Sequence, residues 1–172
     1  MSTPRSESPH FTPLAINLAG LPCLVVGGGR VGTRKAQILN SGGAQVTVIA
    51  PEISAELQDL VRLGRVQWRQ EEYCGPDENE FFLVVAATSD AALNDRIGRE
   101  ARAALVCVVS SVEASRVIFP AVHSDGSVTV AVHSDGRDCR GSQQVRDRIA
   151  ASLQVGRSCI PSSRDSHDSQ GT

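Results

Sequence analysis

Aromatic residues are scarce in this chain of 172 residues, at 3% with a single Trp and a single Tyr. That excludes a stacking platform for single-stranded nucleic acid, which needs several rings along one groove. Lysine is scarcer still: of the 17 basic residues all but Lys35 are arginine, and the formal net charge is only -2. A nucleic-acid-binding surface requires a broad basic excess, so no such partner is expected. No apolar run approaches the length needed to cross a bilayer, and the polar start MSTPRSESPHFTP has no apolar signal core. The expectation is a soluble, cytoplasmic protein with no membrane partner. The 5 cysteines (Cys23, Cys74, Cys107, Cys139, Cys159) are scattered with no CxxC pair. That spacing excludes a zinc knuckle or a thioredoxin-like motif and fits a reducing compartment. Cys23 and Cys107 fall inside apolar runs, where they act as small buried hydrophobes.

What is present is an apolar fraction of 41%, enough for a real core. Residues 1–12 and 154–172 are polar and read as a disordered leader and tail. Between them, strand and helix patterns alternate. Cys23–Val26, Gln45–Ala50, Val66–Trp68, Phe81–Ala87 and Leu105–Val109 read as strands; Val31–Asn40, a segment starting at Pro51, and Asp90–Ala103 read as helices. Such alternation implies an α/β fold, a Rossmann-type parallel sheet with helices on both faces, over residues 13–112. The grammar then changes. Val117–His123 and Ser127–His133 are β-rich segments joined by Ser124-Asp125-Gly126, a hairpin signature, and a last helix runs over Gly141–Leu153. Residues 113–153 are thus a hairpin-and-helix region.

The chemistry sits in Gly27-Gly28-Gly29-Arg30-Val31-Gly32, which matches the GxGxxG fingerprint between a strand and a helix. Gly27 makes the tight turn, Gly29 lets backbone approach a pyrophosphate, and Gly32 removes a side chain where helix meets strand. The pyrophosphate would rest on free N–H groups at the positive end of the helix dipole. The bland alternative is a glycine-rich turn with no nucleotide. The ribose reader is less plain. Glu52 lies at the expected distance, yet it could equally be a first-turn acid at a helix start. Arg30 could instead favour a 2′-phosphate, so spacing leaves NAD and NADP both open.

These residues extend into a longer pattern: Leu18-Ala19-Gly20, VVGGGRVGTRK (25–35), GAQVTVIAPE (43–52), VVAATSDAALN (84–94), VIFPAV (117–122) and TVAVHSDG (129–136). Together they resemble the precorrin-2 dehydrogenase family, which includes the N-terminal module of sirohaem synthases. The resemblance implies NAD as cofactor and oxidation of precorrin-2 to sirohydrochlorin, in a homodimer formed through the hairpin region. It places cofactor contacts on Arg30-Val31, Pro51-Glu52 and Ala87-Thr88. Where the family carries an Asp just after the fifth strand, this chain has Ser110. A serine hydroxyl is a poor base at neutral pH without a neighbouring one to activate it, so no ferrochelatase activity is expected. The chain also gives one helix and then a tail where the family continues into a helical region.

Other residues invite functional readings with plain alternatives. Arg116 and Arg137 suit the carboxylates of an acidic tetrapyrrole, or are solvated surface arginines. His123 and His133 recur in two AVHSDG strings. A hairpin turning at 124–127 separates them by roughly 16–20 Å along the strand, too far to share an ion, so no metal site is expected. Asp90 reads as a helix cap. The competing function class is a non-catalytic NAD(H)-binding regulatory domain.

Overall fold

The structure is a computed structural model, and it describes residues 9–75 and 81–157. The chain divides into two units, residues 1–119 and 120–172.

In the first unit, β1 (Pro22–Val26), β2 (Gln45–Ile49), β3 (Val66–Arg69), β4 (Leu83–Ala86) and β5 (Leu105–Val108) alternate with α1 (Arg30–Ser41), α2 (Ala55–Arg62) and α3 (Ala91–Glu100). The sheet has the order β3-β2-β1-β4-β5 with every neighbouring pair parallel. This is the Rossmann-type arrangement expected from the sequence. Strands covered on both faces need no polar alternation; the inner strands β1 and β4 have none, whereas the edge strand β3 alternates, with Val66 buried and Gln67 and Arg69 exposed. Cys23, Val25, Val48, Val85 and Cys107 pack with Ala36, Leu39 and Leu57 on the face of α1 and α2. Leu24, Val26, Ile49, Val84 and Val106 pack with Ile97 and Ala101 on the face of α3.

Two of the boundaries that differ from the sequence reading have a clear physical cause. The second helix begins at Ala55, not Pro51, because the Ser54 side chain caps it by accepting from Leu57 N at 3.2 Å. Pro51 and Glu52 are therefore loop residues. The β-rich segment expected from Val117 pairs only from Ala121. Before that, Val117 and Phe119 pack on the first core face, and the Lys35 ammonium stands 4.0 Å over the Phe119 ring.

The second unit holds β6 (Ala121–Ser124), β7 (Thr129–Val132) and α4 (Cys139–Arg157). The hairpin is antiparallel, with His123 opposite Val130. Its turn is built by Asp125, whose carboxylate accepts from Ser127 N at 2.9 Å and Val128 N at 3.0 Å, and by Gly126 at φ +93°. The second SDG string also forms a turn, with Asp135 at φ +50°. Helix α4 starts and ends beyond the expected bounds, and residue 154, expected to begin the tail, lies inside it. Residues 1–8 of the expected leader, residues 158–172 of the expected tail, and Cys159 lie outside the described residues. Among the described residues no helix is long and apolar enough to cross a membrane.

Burial pushes the Cys23 thiol up to about 11 and raises that of Cys107, whereas Cys74 and Cys139 are exposed. A thiol reagent applied to the native protein should label Cys74 and Cys139 well before Cys23 and Cys107, which mass mapping would show. The raised thiols contribute stability that is whole below the ordinary thiol range. It is lost as pH rises towards about 11, since only the unfolded chain ionises first.

Candidate functional site

The central strands end level. Val26 of β1 pairs with Ile49 of β2 on one side and with Ala86 of β4 on the other. The loops after β1, β2 and β4 therefore leave the sheet side by side. Chain order reverses between β1 and β4, and the crevice outside the strand carboxyl ends at such a point is where open α/β sheets take ligands. Here that crevice is a cleft of about 800 Å³, with Gly27, Gly28, Gly29, Pro51, Glu52, Ala87 and Thr88 in its walls.

Each loop glycine has a distinct reason. Gly27 adopts φ +114°, in the left-handed region, and a Cβ there would overlap the Ala87 carbonyl oxygen. Its N–H donates to Ile49 O at 2.9 Å, closing the turn onto β2. A Cβ on Gly28 would overlap the Glu52 carbonyl oxygen and crowd Ile53, and the Gly28 carbonyl accepts from Ser54 N at 3.0 Å. A Cβ on Gly32 would overlap the Gly27 carbonyl. Gly29 differs from all three. It has an ordinary φ of -75°, and nothing lies within 4 Å of where its Cβ would stand. The fold does not require glycine there, so the missing side chain serves whatever enters the cleft.

The helix behind that glycine is also left unfinished. Helix α1 has no side-chain cap and no acid in its first turn, while Ser54 caps α2 and Asp90 caps α3. The first N–H groups of α1 and the positive end of its dipole are thus offered to an anion. A dinucleotide pyrophosphate fits this end, the open Gly29 and the size of the cleft.

Two side chains that the sequence reading did not single out hold the loops in place. Thr33 is buried; its hydroxyl meets Gly29 O at 3.0 Å and Ser54 Oγ at 2.9 Å, joining the glycine loop to the start of α2. Asn94 is 1% exposed. It accepts from Thr88 N at 3.0 Å and Thr88 Oγ1 at 2.8 Å through Oδ1, and donates through Nδ2 to Thr88 O at 3.0 Å. No residue-type signal in the sequence distinguishes a clamp from a solvated Asn. Asp90 is the cap it was read to be, accepting from Ala92 N at 2.8 Å.

The remaining candidates scatter. Arg30 and Val31 are exposed in the first turn of α1, and Gly32 is buried beneath the loop. Glu52 precedes the α2 cap, so the first-turn acid of α2 is Glu56 and Glu52 belongs to the cleft wall. Ser110 is exposed in the turn after β5. Arg116 donates to the Ala101 carbonyl at the end of α3, at 2.6 Å. In the second unit, Arg137 pairs with the buried Asp135 carboxylate at 2.9 Å. The sequence reading missed Ile49, Glu72, Tyr73, Leu93 and Arg96, which also line the cleft.

A family model of NAD(P)-binding domains matches residues 14–121. The chain belongs to this NAD(P)-binding family. Its relatives include the siroheme synthase of Neisseria meningitidis, 36% identical over 146 residues, which span 84% of this chain and 30% of that protein. The siroheme synthase of Ectopseudomonas mendocina is 44% identical over 129 residues, 74% of this chain and 28% of that one. The chain thus spans under a third of the length of these curated relatives. A solved structure titled SirC, precorrin-2 dehydrogenase, aligns with a TM-score of 0.69 at 28% identity, covering 85% of this chain and 71% of the other. The resemblance read from VVGGGRVGTRK and its companion strings is borne out by these relatives.

The contrast between glycines is testable. Gly29→Val should leave thermal unfolding nearly unchanged and abolish dinucleotide binding by calorimetry, because only the ligand occupies that space. Gly28→Ala should instead destabilise the domain by about 3 kcal/mol in urea unfolding, because the loop must move off Glu52. Asn94→Leu should cost about 2–3 kcal/mol, since it orphans the Thr88 N–H and C=O, and should weaken dinucleotide binding as well.

Proposed function

We propose that the chain is an NAD-dependent precorrin-2 dehydrogenase that yields sirohydrochlorin and lacks ferrochelatase activity. The observation that carries this reading is the uncapped start of α1 behind an open Gly29, facing a cleft at the strand switch point, in a chain whose relatives are named for this chemistry. Bound there, NAD⁺ supplies the acceptor for a hydride from the tetrapyrrole. The protein's part is positioning. The α1 N-terminus and Gly27–Gly29 hold the pyrophosphate, and Thr33 and Asn94 keep the flanking loops from shifting.

NAD is favoured over NADP by Glu52. Glu52 lines the cleft on the β2 side, where its carboxylate would accept from a ribose 2′-hydroxyl and repel a 2′-phosphate. Arg30, the residue that argued for NADP, is not in the cleft wall. Ser110 supports the absence of chelation, because a lone hydroxyl neither takes up a pyrrole proton at neutral pH nor attracts a metal as a carboxylate does. Arg116 and Arg137 are the candidates for the substrate's carboxylates. The homodimer belongs to the same reading, with the hairpin as its surface, where Val122 and Val128 are exposed.

Incubation with NAD⁺ and enzymatically generated precorrin-2 should produce the sirohydrochlorin spectrum, and adding Co²⁺ or Fe²⁺ should not accelerate metal insertion above the uncatalysed rate. NAD⁺ binding with no turnover would refute the enzyme and leave a nucleotide-sensing domain. Glu52→Ser should weaken NAD⁺ binding about tenfold and improve binding of NADP⁺, reading a charge-assisted hydrogen bond of roughly 1.5 kcal/mol.

A further inference from the structure

Tyr73 is the single tyrosine of the chain and lies in the segment that follows β3. It lines the cofactor cleft and a smaller cavity of about 290 Å³ that shares Ile49 and Glu72 with it. Its ring packs on the core face formed by Leu24, Val26, Ile49 and Val84. Its hydroxyl is buried and, among the described residues, has no hydrogen-bond partner. A buried, unpaired hydroxyl destabilises the folded chain, and native structures rarely keep one without a reason. Phenylalanine would fill the same apolar seat at no such cost. The oxygen therefore gains its partner in another state of the protein, and the adjacent cleft supplies one.

The position of Tyr73 says which part of a dinucleotide that partner is. The segment after β3 is tied to the loop after β2, since Trp68 Nε1 donates to Ala50 O at 2.9 Å and Gln70 Nε2 to Pro51 O at 3.3 Å. Tyr73 thus stands on the Glu52 side of the glycine loop, across β1 from β4 and β5. With a pyrophosphate on α1 and an acidic residue after β2 reading the adenosine ribose, that side takes the adenosine half. We propose that Tyr73 is a specificity residue for the cofactor: on binding, its phenol turns from the dry seat into the cleft and its hydroxyl hydrogen-bonds the adenosine moiety. This rests on the NAD reading above.

The test compares wild type with Tyr73→Phe by thermal unfolding without nucleotide and by calorimetric titration with NAD⁺, ADP and nicotinamide mononucleotide. The free variant should melt a few degrees higher, because the orphan is gone. It should bind NAD⁺ and ADP about tenfold more weakly, from the lost hydrogen bond and the lost relief of the orphan, with the mononucleotide unaffected. Equal affinities for NAD⁺ and ADP in the two proteins would overturn the assignment. So would a lower melting temperature of the free variant, or a loss confined to the mononucleotide. If wild type binds none of the three, the cofactor reading falls and this inference with it. Binding by wild type that the variant matches overturns this inference alone.

Discussion

Close backbone approach at the glycine loop is the constraint on which the site depends. Gly27 lies against the Ala87 carbonyl, Gly28 against the Glu52 carbonyl, and Gly32 against the Gly27 carbonyl, each with no room for a Cβ. At these glycines the loops after β1, β2 and β4 approach closely through main chain, and a bond between the Thr33 and Ser54 side chains joins two of them further on. A methyl group on Gly27 or Gly28 would push apart two loops, and one on Gly32 would push the start of α1 off the glycine turn. Cleft shape and helix direction are therefore set by the same few contacts at Gly27, Gly28 and Gly32, whereas Gly29 touches only the cleft.

Polar bonding around the cleft follows one logic. Groups that serve only structure are paired: Thr33 with Gly29 and Ser54, Asn94 with both backbone groups of Thr88, and Trp68 with Ala50 O. Buried backbone groups must be satisfied somewhere, and these side chains do it without using the cleft. Among the described residues at this end of the sheet, the start of α1 has no side-chain cap and the Tyr73 hydroxyl has no partner. Both border the space a ligand would fill, and strain of this kind is found at functional sites.

The sheet and the glycine loop were legible in the sequence because each has a strong local cause. Buried parallel strands leave apolar runs, and glycine is the residue that a main-chain contact demands. The start of α2 was less legible: Pro51-Glu52-Ile53-Ser54 offers a proline, an acid and a serine that all favour a helix start. Only the Ser54 bond to Leu57 N picks the cap. Val117 and Phe119 carry strand-like residue types, yet they pack on the first core face, with Lys35 over the Phe119 ring. Tertiary packing outweighed propensity there. Asn94 and Tyr73 were invisible for a different reason. Their roles depend on which loop lies beside them, and a single sequence does not carry that information.

The two arginines considered for an acidic substrate are not equivalent once their partners are known. Arg116 gives a guanidinium N–H to the Ala101 carbonyl at the C-terminal end of α3, a neutral acceptor in a region of partial negative charge. Its full positive charge remains, and a guanidinium has five N–H groups to share. Arg137 faces the carboxylate of Asp135, which is 8% exposed and also contacts His133 Nδ1 at 3.3 Å. Drawing Arg137 towards a substrate would take a cation away from that buried carboxylate. Arg137 is therefore committed to the turn that begins the second unit's helix, and Arg116 is the arginine of the two with charge to offer.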